Sequence, residues 1–151
     1  MLKQDITEVR KARHKQTQED FTPPEVIKML CDGNELMFED FSKTVCDPCC
    51  GSGNILRYIL KERYKHCESE QDLIAALSTM YGTELMQDNT EECHMKILRD
   101  IKEYFTEHKI SYNEENIKPI LEKNIVCADT FKWDYENWKP IEEKSTSVVL
   151  F

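Results

Sequence analysis

The stretch Asp47-Pro48-Cys49-Cys50-Gly51-Ser52-Gly53-Asn54-Ile55-Leu56 decides how this chain folds. It follows the β-prone run 43–46, and the apolar residues after it recur at helical spacing, so we predict a strand, a tight loop and a helix. Gly51 and Gly53 would let the loop pass close to a ligand without Cβ clashes, and the free N–H groups that open the helix would point at it. Asp47, at the end of the strand, suits an ammonium or hydroxyl group. An ordinary strand-to-helix turn is the alternative interpretation.

The composition is that of one soluble globular domain. The 151 residues are 40% hydrophobic and 32% charged, which is enough for a real core. The net charge of −9 argues against a chain that coats nucleic acid, so any DNA contact must be local. The basic run 10–15 is one candidate for such a contact, although a solvated arm explains it more simply.

The cysteines indicate a reducing compartment. Their number, seven, is odd, and most lie in apolar or strand-like context, as buried free thiols do. The sequence opens with no signal peptide and contains no apolar run of transmembrane length, so we expect a cytoplasmic protein without a membrane contact. A redox or zinc site at Cys46-x-x-Cys49 is the weaker alternative, because no second cysteine pair accompanies it and the glycines would have no role.

A helix is expected to begin near residue 23. Thr22 and Glu25 have the spacing of a capping box, and Pro23 fits the first helical position. We predict that Thr22 caps this helix. Because a cap uses an oxygen lone pair, the hydroxyl proton of Thr22 would stay free for a ligand.

Two further strand-like runs contain acids. In the run 80–85, Glu84 precedes Leu85 and could accept hydrogen bonds from ribose hydroxyls, as in other nucleotide-binding α/β folds. A solvated surface acid is the alternative for Glu84. The run 124–131 carries Asp129, followed by an aromatic residue that is either a ligand contact or a core residue.

The connections between these strands are less distinctive. A short extra helix at 73–77 would account for the long spacing between the glycine loop and the second acid, and 113–123 is predicted to be a polar connection with about one helical turn. Aromatic residues in a charged loop at 133–138 suggest either a lid or a binding surface. The last residues, 147–151, look like the start of a fourth strand.

These segments resemble the adenine-N6-specific DNA methyltransferase family, whose loop pattern is Asp-Pro-(small)-Cys-Gly-Ser-Gly-x-(Phe/Ile)-Leu. The stretch 47–56 follows that pattern, with Cys49 in place of the usual small residue and Asn54 where Gly or Thr is common. Phe21 and Thr22 match the Phe-Thr-Pro segment that closes over the methionine end of the family's cofactor, S-adenosylmethionine (AdoMet). The resemblance implies twelve cofactor-binding residues: Phe21, Thr22, Asp47, Pro48, Cys49, Gly51, Gly53, Asn54, Glu84, Leu85, Asp129 and Phe131.

The resemblance also implies roles and a fold. Asp129 would accept from the adenine amino group, and Phe131 would pack on the adenine face. The implied fold is α/β, a Rossmann-like AdoMet methyltransferase fold with a truncated parallel sheet of about four strands in the order 3-2-1-4 and helices on both faces. An N-terminal arm would occupy 1–20 and the AdoMet-binding domain 21–151.

The catalytic part of the family pattern is absent from this sequence. These enzymes hold a flipped adenine with Asn/Asp-Pro-Pro-Tyr/Phe after the fourth strand, and no such motif occurs in 1–151, so we predict no catalytic residue and no metal ligand. The expected function is AdoMet binding in an incomplete methyltransferase, which would contact DNA only with a partner chain or a missing C-terminal half. The apolar edge at 147–151 would favour self-association or partner capture. A non-catalytic AdoMet- or nucleoside-binding regulatory module is the alternative.

Overall fold

The computed structural model of the protein describes residues 22–142. Its helices and strands follow in chain order: α1 Pro24–Cys31, α2 Leu36–Glu39, β1 Val45–Asp47, α3 Asn54–Tyr64, α4 Glu70–Ser78, β2 Met80–Glu84, α5 Gln87–Glu107, α6 Glu114–Asn124, β3 Ile125–Cys127, a 3₁₀ turn Thr130–Lys132, β4 Trp133–Asp134 and β5 Lys139–Pro140. The predicted arm at 1–20, Phe21 and the predicted fourth strand at 147–151 lie outside the described residues and stay predictions. None of the described helices combines the length and hydropathy needed to cross a bilayer.

A parallel three-stranded sheet organises the fold, in the order β1-β2-β3. Cys46 pairs with Tyr81, and Thr83 pairs with Val126. The parallel direction and the placement of the second strand between the first and third agree with the predicted 3-2-1 order. Strand β3 is shorter than predicted, because the carboxylate of Asp129 accepts from the backbone two residues later and turns the chain into a 3₁₀ turn.

Helices cover one face of the sheet closely. Helix α3 packs against α5, and α5 packs against β2 and β3. A Cβ on Gly82 would lie 2.9 Å from Leu56 Cδ1 and 3.0 Å from Cys50 Sγ, so glycine allows α3 and the preceding loop to lie directly on β2. Buried side chains such as Leu56 and Ile97, both 0% exposed, each contribute about 1.5–3 kcal/mol to folding.

An aromatic hairpin lies against the other face at Tyr81. Alternation along the strands puts Cys46 and Tyr81 on the face opposite Gly82. The ring of Trp138, between β4 and β5, packs edge-on against Tyr81 with centroids 4.7 Å apart. The sequence predicted helices on both faces of the sheet. In the described residues, the aromatic hairpin lies on the second face at Tyr81.

Arg63 is buried in the core and binds the segments around the start of the sheet through hydrogen bonds. Its fully buried guanidinium donates to the carbonyl oxygens of Met37 and Ala76 at 2.9 and 2.7 Å. It also donates to the Lys43 carbonyl at 2.8 Å and to the Thr79 hydroxyl at 2.7 Å. Burial lowers the pKa of Arg63, and these four hydrogen bonds compensate the loss of water around the charge.

The first helix begins one residue later than predicted. Pro23 is the N-cap of α1 and no side chain caps the helix, so the predicted cap by Thr22 is wrong. The Pro23 carbonyl accepts from the N–H groups of Val26 and Ile27, both at 3.1 Å. With Pro24 at the first helical position, the capping-box spacing between Thr22 and Glu25 is out of register by one residue.

The polar connection predicted at 113–123 is also wrong. Helix α6, 11 residues long, covers 114–124, and the Asn113 side chain caps it by accepting from Glu115 N–H at 3.0 Å. Ile117 and Leu121 lie one turn apart on its buried side. Pro119 inside the helix and the charged residues around it obscured this short apolar stripe.

Candidate functional site

The glycine loop, residues 48–53, turns from β1 into α3 with two residues in the left-handed region. Gly51 has φ 57° and Gly53 has φ 91°, values that favour glycine. Cys50 N–H donates to the Thr83 carbonyl in β2 at 3.0 Å, and Gly53 N–H donates to the Cys50 carbonyl at 2.8 Å. Gly53 is the N-cap of α3 and no side chain caps this helix, so its positive end faces the loop.

Asp47 lies half-buried at the end of β1, directly before the loop. Its Oδ1 accepts a hydrogen bond from Cys49 N–H at 3.2 Å. Burial raises the pKa of the Asp47 carboxyl, the Cys49 hydrogen bond opposes this rise, and the charge of Glu84 adds to it. The two acids therefore form a negatively charged corner that suits a cationic group.

Glu84 ends β2 with 9% of its surface exposed. Its Oε2 accepts from Met86 N–H and from the Asn89 side-chain amide, both at 3.0 Å. Its Oε1 makes no hydrogen bond to any residue between 22 and 142. One oxygen therefore fixes the carboxylate, and the other is available to a ligand hydroxyl.

Two large apolar side chains stand exposed beside the ends of β2 and β3. Ala128 N–H donates to the Glu84 carbonyl at 2.9 Å, which keeps these two strand ends together. Leu85 is 61% exposed and Phe131 is 90% exposed, so core packing does not explain Phe131. Asp129 caps the 3₁₀ turn by accepting from Phe131 N–H at 2.9 Å. The arrangement presents apolar surface to a planar ring next to carboxylate acceptors.

The structure brings a second group of predicted site residues together at the glycine loop. A pocket of about 20 Å³ is lined by Thr22, Asp47, Cys49, Gly51 and Asn54 among others. A pocket of this size holds one small group, so a cofactor would lie across the open strand ends rather than inside a cavity. Pro48, which directly follows Asp47 and opens the glycine loop, is exposed. A cavity of about 590 Å³ between α1, α2 and β1 contains none of the predicted site residues.

Sequence reasoning missed the residues that hold the predicted ones in place. Asn89 is buried and its amide binds Glu84. Cys93, one turn later in α5, is buried against Gly53. In the sequence, the one pattern that could have indicated these two residues is their spacing: Asn89 and Cys93 lie four residues apart, on the side of α5 that carries its apolar stripe. Tyr135, predicted as part of a lid or a binding surface, contributes its hydroxyl to the site's hydrogen bonds.

The exposed cysteines form no metal centre in the part of the chain that the structure describes. Cys46 and Cys49 are free thiols. Within 22–142, no group of three or more His, Cys, Asp or Glu side chains is placed to hold a metal ion. Within the described residues, this pair therefore lacks the further ligands that the zinc interpretation needs.

Comparison with known proteins adds one finding. A family model described as N-6 DNA Methylase matches residues 6–147. This range contains the glycine loop, the three acids at the strand ends and the aromatic hairpin. No curated protein and no solved structure matches the chain at a significant level. Because the family match covers most of the sequence, the chain belongs to the N-6 DNA methylase family.

Proposed function

We propose that residues 22–142 contribute the AdoMet-binding site of an adenine-N6 DNA methyltransferase. The observation that carries the proposal is the pattern of hydrogen bonds at the Glu84 carboxylate, beside the glycine loop. Its Oε2 is held by Met86 and Asn89, while Oε1 has no partner among the described residues. A carboxylate fixed in this way presents a ready acceptor to the paired hydroxyls of a ribose.

The charges around the loop support the same ligand. AdoMet carries an ammonium and a sulfonium cation at one end and a neutral adenine at the other. The corner formed by Asp47 and Glu84 carries two acids. They are close enough for the negative charge of Glu84 to raise the pKa of Asp47, so the corner is negative. The uncapped start of α3 offers N–H groups to the methionine carboxylate. At the other end, the exposed Phe131 ring and the Asp129 carboxylate suit the adenine.

The proposal includes a second contributor to the reaction. Methyl transfer requires a group that fixes the target amino nitrogen in line with the methyl. The sequence 1–151 contains no Asn/Asp-Pro-Pro-Tyr/Phe motif. We therefore place the acceptor group, and most of the DNA contact, on another chain or segment. The net charge of −9 supports this division, because DNA binding depends on cations that neutralise phosphates.

Isothermal titration calorimetry with AdoMet and with its demethylated product tests the cofactor proposal. Binding should saturate at one ligand per chain and raise the melting temperature, as ligand linkage requires. The Gly51→Val variant should lose binding, because φ 57° is strained for a branched residue and Gly51 lines the small pocket at the loop. Absence of heat and of any thermal shift with the wild-type chain would overturn the proposal.

Gly33→Ala provides a matched control for Gly51 substitutions. Gly33 also has a left-handed φ, 84°, and nothing lies within 4 Å of the position its Cβ would take. It belongs to the turn between α1 and α2, away from the glycine loop. Gly33→Ala should therefore report the cost of backbone strain and leave AdoMet affinity unchanged.

A methyl-transfer assay tests the division of labour. The purified chain with labelled AdoMet should transfer no methyl to adenine-containing DNA, although it binds the cofactor. Robust transfer by the isolated chain would show that residues within 1–151 supply the acceptor group, and the proposed second contributor would be wrong.

A further inference from the structure

Three hydroxyl groups meet at one carbonyl oxygen beside the site. Thr83 Oγ1 donates to the Pro48 carbonyl at 2.6 Å, and Thr130 Oγ1 donates to the same oxygen. The hydroxyl of Tyr135 contacts both threonine hydroxyls and donates to the Thr130 carbonyl at 3.0 Å. We call these residues, Pro48, Thr83, Thr130 and Tyr135, the hydroxyl network.

The three hydroxyl protons can satisfy the two carbonyl oxygens of the network. Each hydroxyl has one proton, and a carbonyl oxygen has two lone pairs. The protons of Thr83 and Thr130 fill both lone pairs of the Pro48 oxygen. The Tyr135 proton then serves the Thr130 carbonyl. Removal of either threonine hydroxyl would leave the Pro48 oxygen with one donor instead of two, and removal of the Tyr135 hydroxyl would take away the donor that the structure describes for the Thr130 carbonyl.

Each strand-end acid has a direct chain neighbour in this network. Pro48 follows Asp47, and Thr83 precedes Glu84. Thr130 follows Asp129. Three segments that are distant in sequence are therefore joined one residue away from the carboxylates, and Tyr135 closes the network from the aromatic hairpin.

We propose that the hydroxyl network positions these three carboxylates relative to one another, with Thr130 and Tyr135 acting as positioning residues for the cofactor. The inference rests on the proposed AdoMet site and adds Thr130 and Tyr135, which are not among the predicted cofactor-binding residues. Thr83 is 0% exposed, whereas Tyr135 is 41% exposed and lies at the surface. Loss of the Tyr135 hydroxyl would therefore remove little apolar burial and would act mainly through hydrogen bonds.

The hydroxyl network also explains why the turn after β3 is held against the glycine loop. Strand β3 pairs with β2 and not with β1. The ladder therefore joins the Asp129 turn and the loop after Asp47 only indirectly, through β2. The hydrogen bond from Thr130 to Pro48 spans these two segments directly.

Isosteric variants test the inference. Thr130→Val removes the hydroxyl and keeps the shape, and Thr130→Ser keeps the hydroxyl. We expect AdoMet affinity, measured by calorimetry, to fall about tenfold in Thr130→Val and in Tyr135→Phe. Thr130→Ser should stay within about twofold of wild type. Tyr112→Phe is the control, because the Tyr112 ring packs on Phe105 and its hydroxyl makes no hydrogen bond within the described residues.

A double-variant cycle separates positioning from general loosening. If Thr130 acts through the neighbouring acid, Thr130→Val should have little further effect on affinity once Asp129→Asn is present. Full additivity of the two changes would overturn the inference, as would wild-type affinity in both Thr130→Val and Tyr135→Phe. If Thr130→Val fails to fold, the AdoMet affinity of Tyr135→Phe decides whether the inference holds, because Tyr135 is the member of the network that lies at the surface. A wild-type chain that binds no AdoMet would instead overturn the proposed function on which the inference rests.

Discussion

The sulfur of Cys93 lies against Gly53 so closely that a Cβ on residue 53 would overlap it. Cys93 is 0% exposed in α5, and Gly53 is the N-cap of α3. Glycine at this position therefore serves the packing of α3 on α5 in addition to the path of the loop.

Gly53→Ala should lower the free energy of unfolding by more than the cost of its backbone conformation. The φ of 91° alone costs a side chain about 1–2 kcal/mol, and overlap with Cys93 adds to it. Urea unfolding measures the total, and Gly33→Ala measures the conformational part, because its Cβ meets nothing within 4 Å.

Cys93→Ala should partly rescue Gly53→Ala. Removal of the sulfur leaves only the residue-93 Cβ, 3.5 Å from the new methyl group, so the overlap disappears while the strained φ remains. The two substitutions should be non-additive in a double-mutant cycle. Simple additivity would show that the overlap is relieved in some other way in Gly53→Ala.

Glu84→Gln should weaken AdoMet binding and preserve the fold. The glutamine oxygen can accept from Met86 and Asn89 as Oε2 does, while the amide replaces the carboxylate oxygen that has no partner among residues 22–142. The loss should be about 1–3 kcal/mol of binding free energy, the size of a charged hydrogen bond. Calorimetry measures it beside a urea unfolding curve.

Glu84→Ala should lower both binding and stability, since the carboxylate would no longer accept from Met86 N–H and from the buried Asn89 amide. The pair of variants separates the two roles of this residue. Wild-type affinity in Glu84→Gln would mean that Glu84 only fixes the start of α5.

Asp100→Ala should be among the most destabilising single changes in this region. Arg57 Nε lies 2.7 Å from Asp100 Oδ2, and the side chains are 15% and 4% exposed. Lys61 and Arg99 approach the same carboxylate at 3.9 and 3.8 Å. Loss of the acid would leave a partly buried guanidinium without its partner, at a cost of about 3–5 kcal/mol.

The exposed pair of Lys65 and Glu62 is the control for this prediction. Its atoms are 2.9 Å apart, but its side chains are 59% and 30% exposed. Glu62→Ala should change the free energy of unfolding by less than about 1 kcal/mol. If Asp100→Ala is equally mild, the ion pair between α3 and α5 contributes nothing beyond a surface pair.

The parts of the fold predicted correctly are those with strong local signals. The loop 48–53 and the strands β1 and β2 combine glycine, β-prone residues and apolar periodicity within a few positions. Helix α3, predicted directly after the loop, buries Leu56, Ile59 and Leu60 at helical spacing. These local signals agree with the tertiary packing, so the sequence alone was sufficient.

Errors arose where a local signal was ambiguous by one residue or masked by charge. The capping box predicted at Thr22 is wrong because two prolines follow Thr22, and the second of them, Pro24, is the first residue of the helix. Helix α6 was missed because Pro119 lies among its few apolar positions. The hydroxyl network joins residues up to 82 positions apart, a contact that no local pattern can predict.

Asp47→Asn should stabilise the free protein at neutral pH. Burial raises the folded-state pKa of Asp47 above its ordinary value near 3.8, and Glu84 raises it further, so folding favours the protonated form. The stability contributed by that form is fully present below the ordinary pKa and is lost as the pH rises through the raised one. Asparagine removes this penalty and keeps an oxygen for Cys49 N–H.

The same substitution should weaken AdoMet binding, because in the proposed site this carboxylate faces the ligand's ammonium. We expect a loss of about 1–3 kcal/mol at about pH 7, and in the wild-type chain affinity should decline on acidification as Asp47 takes up a proton. Urea unfolding at about pH 7 and about pH 5 should show the stability advantage of Asp47→Asn shrinking at the lower pH. A variant that is both less stable and equally able to bind AdoMet would mean that Asp47 supports the loop rather than the ligand.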